Sequence, residues 1–202
     1  VPRPVLTSLS QRVLPVLQRL KQQRPDAVIS IDTYKANVAR AAVKAGAEIV
    51  NDVSAFRWDP AMARTVAELK CGAVLMHMRG RPEQWRTLEP VSDIVVLVKR
   101  ELREWSDKAL LVGVKRERMV LDPGFGFGKN FEQNYPMLRR FDEFHQLRYP
   151  LLAGVYGGSA DQLSVDAVLP RFVQMETEYR SLGRAMAAAA KNVPRSGRGA
   201  LF

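Results

Sequence analysis

The sequence predicts an α/β fold of the (β/α)-barrel type, present in part. Three observations lead there. Short apolar runs alternate with segments of helical periodicity, the runs are apolar on both faces, and four of them in succession end in polar residues. Alternating strand and helix signals predict a parallel sheet. Near-continuous runs such as Val28-Ile29, Ile49-Val50 and Val74-Leu75-Met76 suit strands buried on both sides. An open doubly wound sheet satisfies both of these signals equally well. The polar strand ends decide between them. In a barrel all carboxyl ends converge on one mouth, where sites are built, whereas an open sheet draws its site mainly from one switch point.

Taken in order, residues 8–24 carry Val13, Leu14, Val16, Leu17 and Leu20 at helical spacing, with Pro15 expected to kink the helix. Residues 27–32 form a strand that closes on Asp32. Residues 35–45 form a helix stopped by Gly46, a residue suited to the left-handed position after a helix. The strand at 48–52 ends in Asn51-Asp52, and a helix over 60–70 stops near Gly72. The strand at 73–77 ends on His77, and a long helix spans 92–111 ahead of Gly113. Met119–Asp122 is a strand leading into a glycine-rich turn. A helix over 130–147, with Pro136 early, and a strand at 151–155 complete the series. Five parallel strands should therefore gather Asp32, Asn51, His77 and Asp122 on one rim.

Length and composition narrow the function classes. A chain of 202 residues fits one domain with a sizeable core. No run nears the ~20 apolar residues of a membrane helix; the longest is Ile94-Val95-Val96-Leu97-Val98. Prolines and arginines break the early apolar stretches, against a secretory signal. One cysteine, Cys71, forms no internal disulfide and suits a reducing cytoplasm. The net charge of +10 would suggest nucleic acid if it were clustered, but acidic residues interleave with basic ones, as in Lys99-Arg100-Glu101-Leu102-Arg103-Glu104. A cytoplasmic domain without membrane or nucleic-acid partners is the expectation, and its positive field would gather a small anionic substrate.

Each polar strand end has an ordinary alternative. Asp32-Thr33 could cap the next helix, Asn51-Asp52 could start a turn, and His77 between two methionines could be a core histidine. Capping alone does not explain four in a row. The most specific stretch is Asp122-Pro123-Gly124-Phe125-Gly126-Phe127-Gly128-Lys129-Asn130. It is neither a Walker loop nor a dinucleotide fingerprint. A carboxylate beside aromatic faces suits a flat, nitrogen-rich ring, whose N–H groups the carboxylate accepts while the rings stack.

Here the sequence resembles the dihydropteroate synthase family. The resemblance rests on Ile29-Ser30-Ile31-Asp32-Thr33-Tyr34-Lys35, on Ala45-Gly46-Ala47-Glu48-Ile49-Val50-Asn51-Asp52-Val53, on Val74-Leu75-Met76-His77-Met78 and on the glycine-phenylalanine stretch, with Pro150-Leu151-Leu152-Ala153-Gly154 opening a further strand. It covers roughly residues 5–155 in the family's order. It implies a (β/α)8 TIM-type barrel represented by its third to seventh strands. It implies a pterin pocket of Asp32, Asn51 and Asp122, with Met76 against the pterin face and Phe127 near the 4-aminobenzoate. The implied reaction joins 4-aminobenzoate to 6-hydroxymethyl-7,8-dihydropterin diphosphate with release of diphosphate, assisted by Mg²⁺, and leaves a homodimer open.

Three departures accompany the resemblance. Val1 enters just after the family's first two strands and their loops, one of which helps to hold the metal. Val155 is followed by Tyr156-Gly157-Gly158-Ser159 in place of a Ser-Arg-Lys-Ser type motif. The eighth-strand Arg and His have no counterpart. The expected organisation is a partial pterin-binding barrel over 1–155 and a divergent helix with a disordered basic tail over 156–202. Two alternatives follow: a non-catalytic pterin-binding remnant, and a pterin-binding methyltransferase domain. Lys129 and Arg79 are the cations expected near the mouth.

Overall fold

The computed structural model describes residues 5–152, all within the first of the chain's two units, Val1–Ala160. Four parallel strands, β1 (Ser30–Asp32), β2 (Ile49–Asp52), β3 (Gly72–Met76) and β4 (Met119–Asp122), pair in the order β1-β2-β3-β4. A doubly wound sheet reverses its order at a switch point. Strict succession is what repeated right-handed βα units build on the way round a barrel. Beyond β4 the chain at 150–152 takes the next position. The Leu121 amide donates to the Pro150 carbonyl at 2.9 Å, the Leu152 amide donates to that of Leu121 at 2.9 Å, and Leu151 bridges Leu121 in parallel. The described residues thus hold four strands and the start of a fifth, where five were expected. The remainder of the strand at 151–155, and all of 156–202, lie outside the described residues.

The helices are α1 (Val5–Gln23), α2 (Ala36–Lys44), α3 (Met62–Leu69), α4 (Ile94–Leu111) and α5 (Phe131–Arg139). Their apolar faces and one side of the sheet share a single core containing Ile31, Val50, Leu75, Met62, Val95, Leu102 and Leu121. Gly46 takes the positive φ expected after α2, at 107°. After α3, Lys70 supplies the left-handed position (φ 54°) and not Gly72. Gly72 lies inside β3, where a Cβ would come 3.2 Å from Ile49.

The expected helix over 130–147 is two elements. α5 stops at Arg139, and Phe141–Leu147 continues as a 3₁₀-helix. Three residues per turn place Phe141, Phe144 and Leu147 on one side, and Phe144 and Leu147 are buried there. Phe141 meets Phe144 at 5.8 Å and Phe125 at 6.2 Å between ring centres. A second 3₁₀ segment, Pro82–Thr87, was not anticipated, although Pro82 at its first turn is a helix-start signal.

Register assigns the strand ends to faces. Asp32 pairs with Asn51, Asn51 with Val74, and Met76 with Asp122. Side chains alternate along a strand, so Asp32, Asn51, Val74, Met76 and Asp122 share one face. Ile31, Val50, Asp52, Leu75 and Leu121 share the other, against the helices. His77, one residue past Met76, belongs with this second set.

Candidate functional site

Three of the four polar strand ends meet on the inner face. The Asn51 amide Nδ2 donates to Asp32 Oδ1 at 2.7 Å, so the two strand ends act as one polar unit. The other end of that amide, Oδ1, is buried with no partner among the described residues. Asp32 does not cap α2: the first-turn amide of Ala36 donates to Asp59 Oδ2 at 2.8 Å, and Thr33 Oγ1 accepts the Lys35 amide at 3.1 Å. Met76 and Asp122, each 3 % exposed, stand side by side in register. Asp122 Oδ1 accepts the Gly124 amide at 2.7 Å.

The fourth strand end does not join them. His77 faces outward and is fully buried beneath α4, its ring stacked on Trp105 at 5.1 Å and its Nε2 3.0 Å from Glu101 Oε2. Burial lowers its pKa to about 3, with Lys129 adding to the effect and Glu101 opposing it. The neutral ring's Nε2–H therefore donates to the Glu101 carboxylate, and Nδ1 is left buried without a partner among the described residues. The alternation of the strand explains the correction, since a residue one step past Met76 must point to the helix layer. Asp52 is likewise a turn former. Buried completely, it accepts the Ser54 amide and hydroxyl, both at 2.7 Å, and the Phe56 amide at 3.1 Å. These bonds hold Ala55 and Phe56 at positive φ, 49° and 66°.

The glycine-phenylalanine stretch folds against the loop after β3. Gly124 has φ +65°, and a Cβ there would lie 2.0 Å from the His77 carbonyl oxygen. Gly128 has φ +69°, and its Cβ would come 2.3 Å from the Arg79 carbonyl oxygen. These glycines are required by contact as well as by φ. Lys129 passes between the two loops and is 5 % exposed. Its Nζ donates to the carbonyls of Gly124 at 2.7 Å, His77 at 3.1 Å and Phe127 at 3.2 Å. Arg79 Nη2 donates to the Glu89 carbonyl at 2.7 Å. Both cations expected near the mouth are thus engaged by backbone oxygens.

Sequence reasoning missed the residues that frame this rim. Phe127 stands edge-on to Trp85 at 6.2 Å, inside the unanticipated segment 79–90. Arg81 lies over Trp58 at 4.8 Å, and Trp58 meets Tyr34 at 5.0 Å. Arg57 lies over Trp105 at 3.9 Å and donates to the Met78 carbonyl at 2.7 Å. A cleft of about 360 Å³ opens beside the loop, bounded by Arg79, Arg86, Glu89, Gly126 and Gln133. Among the described residues no three His, Cys, Asp or Glu side chains gather to hold a metal. Nor is any described helix long and apolar enough to cross a membrane.

The pattern for pterin binding enzymes matches residues 7–189. The chain belongs to that family. Among the relatives of this chain, a dihydropteroate synthase of Synechocystis is 40 % identical over 144 residues, covering 71 % of this chain and 50 % of the relative. The Escherichia coli dihydropteroate synthase is 39 % identical over 145 residues, 72 % of this chain and 51 % of the relative. The chain therefore spans about half the length of these curated relatives. A structure of the Thermus thermophilus enzyme in complex with 6HMPPP superposes with a TM-score of 0.66 at 39 % identity, covering 71 % of this chain and 56 % of the other. The Xanthomonas albilineans enzyme with 4-aminobenzoic acid gives 0.68 at 36 % identity, covering 95 % and 65 %. The fold of the chain is accordingly part of a TIM-type barrel, with its sheet running in the barrel's sequence.

Proposed function

We propose that this chain binds a reduced pterin on the inner face of its sheet and serves the dihydropteroate synthase reaction in the cytoplasm. The observation that carries the reading is the in-register grouping of Asp32, Asn51, Met76 and Asp122 on one face, with a buried Asn51 Oδ1 that has no partner among the described residues. Asp122 accepts N–H groups from the guanidine-like edge of the ring. Asn51 Oδ1 accepts another, while its Nδ2 keeps the bond to Asp32. Met76 supplies a polarizable surface for the ring face, and Phe127 borders the 4-aminobenzoate. The amine of that second substrate attacks the pterin methylene, the C–O bond to diphosphate breaks, and the amine loses a proton. The relatives' names and their ligands, 6HMPPP and 4-aminobenzoic acid, support this substrate pair.

The described residues do not supply a protein cage for Mg²⁺. A magnesium ion brought in by the diphosphate would be held by phosphate oxygens and water. The test is calorimetry with a hydroxymethyl pterin on the wild type and on Asp122→Asn. Each charge-assisted bond contributes about 1.5–3 kcal/mol, so replacing an acceptor by a donor should weaken binding about tenfold or more. Equal affinities would remove Asp122 from the pocket.

A second reading, a pterin binder that does not turn over, is favoured by the engagement of Lys129 and Arg79 with backbone carbonyls.

A further inference from the structure

Lys129 is a buried amine that the proposed pterin contacts do not use. Its Nζ sits among three carbonyl oxygens drawn from two different loops: His77 after β3, and Gly124 and Phe127 after β4. The same loops are joined by backbone bonds from the His77 amide to the Asp122 carbonyl at 2.8 Å and from the Arg79 amide to that of Phe127 at 3.3 Å. The Phe127 carbonyl therefore accepts from both Lys129 and Arg79. A surface lysine would bring its charge to water; this one is spent inside the backbone. We propose that Lys129 is a positioning residue that locks the loops after β3 and β4 into one unit, and so sets the place of Asp122 and Phe127 against a bound ligand.

The ligand part of this inference rests on the proposed pterin site, whereas the locking of the loops does not. Burial lowers the pKa of Lys129 to about 7; Asp122 opposes that shift, Arg79 adds to it, Glu101 opposes it and Arg57 adds to it. His77, whose carbonyl Lys129 holds, stays neutral through this range. When the loops part, the amine regains water and its ordinary lysine value, so opening takes up a proton. Protection of the loop amides should therefore rise with pH above about 7.

The experiment is amide hydrogen exchange on the wild type and on Lys129→Met, which keeps the length of the side chain and removes the donors. Lys108→Met, on an exposed lysine paired to Glu104, is the control. At neutral pH the Lys129→Met substitution should lower protection at Arg79 and Phe127 by about tenfold or more, the scale of losing two of its hydrogen bonds to the loop carbonyls. The Thr33 amide, bonded to Asn51 across β1 and β2, should keep its protection. The wild-type pH slope should vanish in the variant. Equal protection in wild type and Lys129→Met, or the same pH profile in both, overturns the proposal. Calorimetry with the hydroxymethyl pterin then separates the two ideas. Altered exchange in a chain that binds no pterin leaves the lock standing and removes the function proposed above. Pterin affinity unchanged by Lys129→Met removes the effect on the ligand site.

Discussion

Burial leaves His77 neutral in the folded chain, and this has a consequence for acid stability. An ordinary histidine protonates near 6.5, while this one resists to about 3. Between those values the unfolded chain binds a proton that the folded chain refuses, so stability falls as pH drops from about 6.5 toward about 3. The slope for one such group is on the order of 1.4 kcal/mol per pH unit. His77→Gln keeps a donor for Glu101 and cannot protonate. Urea midpoints at pH 7 and pH 4 should show a smaller loss for the variant than for the wild type, and equal losses would mean that His77 is not the acid-sensitive group. The same residue marks the limit of what its letter revealed. A polar strand end was legible; the side of the sheet was not, because that follows from register one residue on from Met76. Asp32, Asn51 and Asp122 were legible as a set. The bond from Asn51 to Asp32, and the caps supplied instead by Asp59, depend on residues brought close only by folding.

Helix ends show a similar division. Asp93 Oδ1 caps α4 by accepting the Val95 and Val96 amides at 2.9 and 3.1 Å, and its Oδ2 accepts from Arg140 Nη1 at 2.9 Å. Asp93→Ala removes both, and the cap alone costs about 1 kcal/mol. The half-exposed pair adds at most about 1 kcal/mol, so a loss of about 1–2 kcal/mol by urea unfolding is expected. Gly124→Ala should do more. Its Cβ would overlap the His77 carbonyl at 2.0 Å in a left-handed backbone, so the loop must move or the chain unfold. Unfolding free energy should fall by about 2 kcal/mol or more, while Gly126→Ala, with nothing within 4 Å, should cost less. An equal cost for the two would show that φ matters and contact does not. Strands were readable because both-sided burial writes continuous apolar runs. The break between α5 and the 3₁₀-helix was not, since its three-residue period follows from burying Phe144 and Leu147 and from packing Phe141 on Phe125.

At the scale of the described sheet, strand order makes part of a barrel, and that part has one inner face. That face carries acceptors: two carboxylates, and an amide oxygen without a partner among the described residues. Such a surface suits the N–H edge of a pterin. Departure of diphosphate asks for the opposite, since cations or N–H donors must meet the charge that develops on the leaving group. Among the described cations, Lys129 is enclosed by three carbonyl oxygens and Arg79 is held by the Glu89 carbonyl. Releasing either would break the contacts that shape the loop. Loss of one electrostatic donor typically lowers a rate ~10²–10³-fold. The purified 202-residue chain should therefore bind the pterin and yet release diphosphate slowly, below about one tenth of the ~10 s⁻¹ typical of enzymes. The measurement is diphosphate release with both substrates and Mg²⁺, run beside calorimetry on the same preparation. Binding with slow release fits a site whose recognition face is complete and whose leaving-group donors are not among these residues. Turnover near the typical rate would show that Arg79, Arg86 or another cation at this rim meets the diphosphate after all.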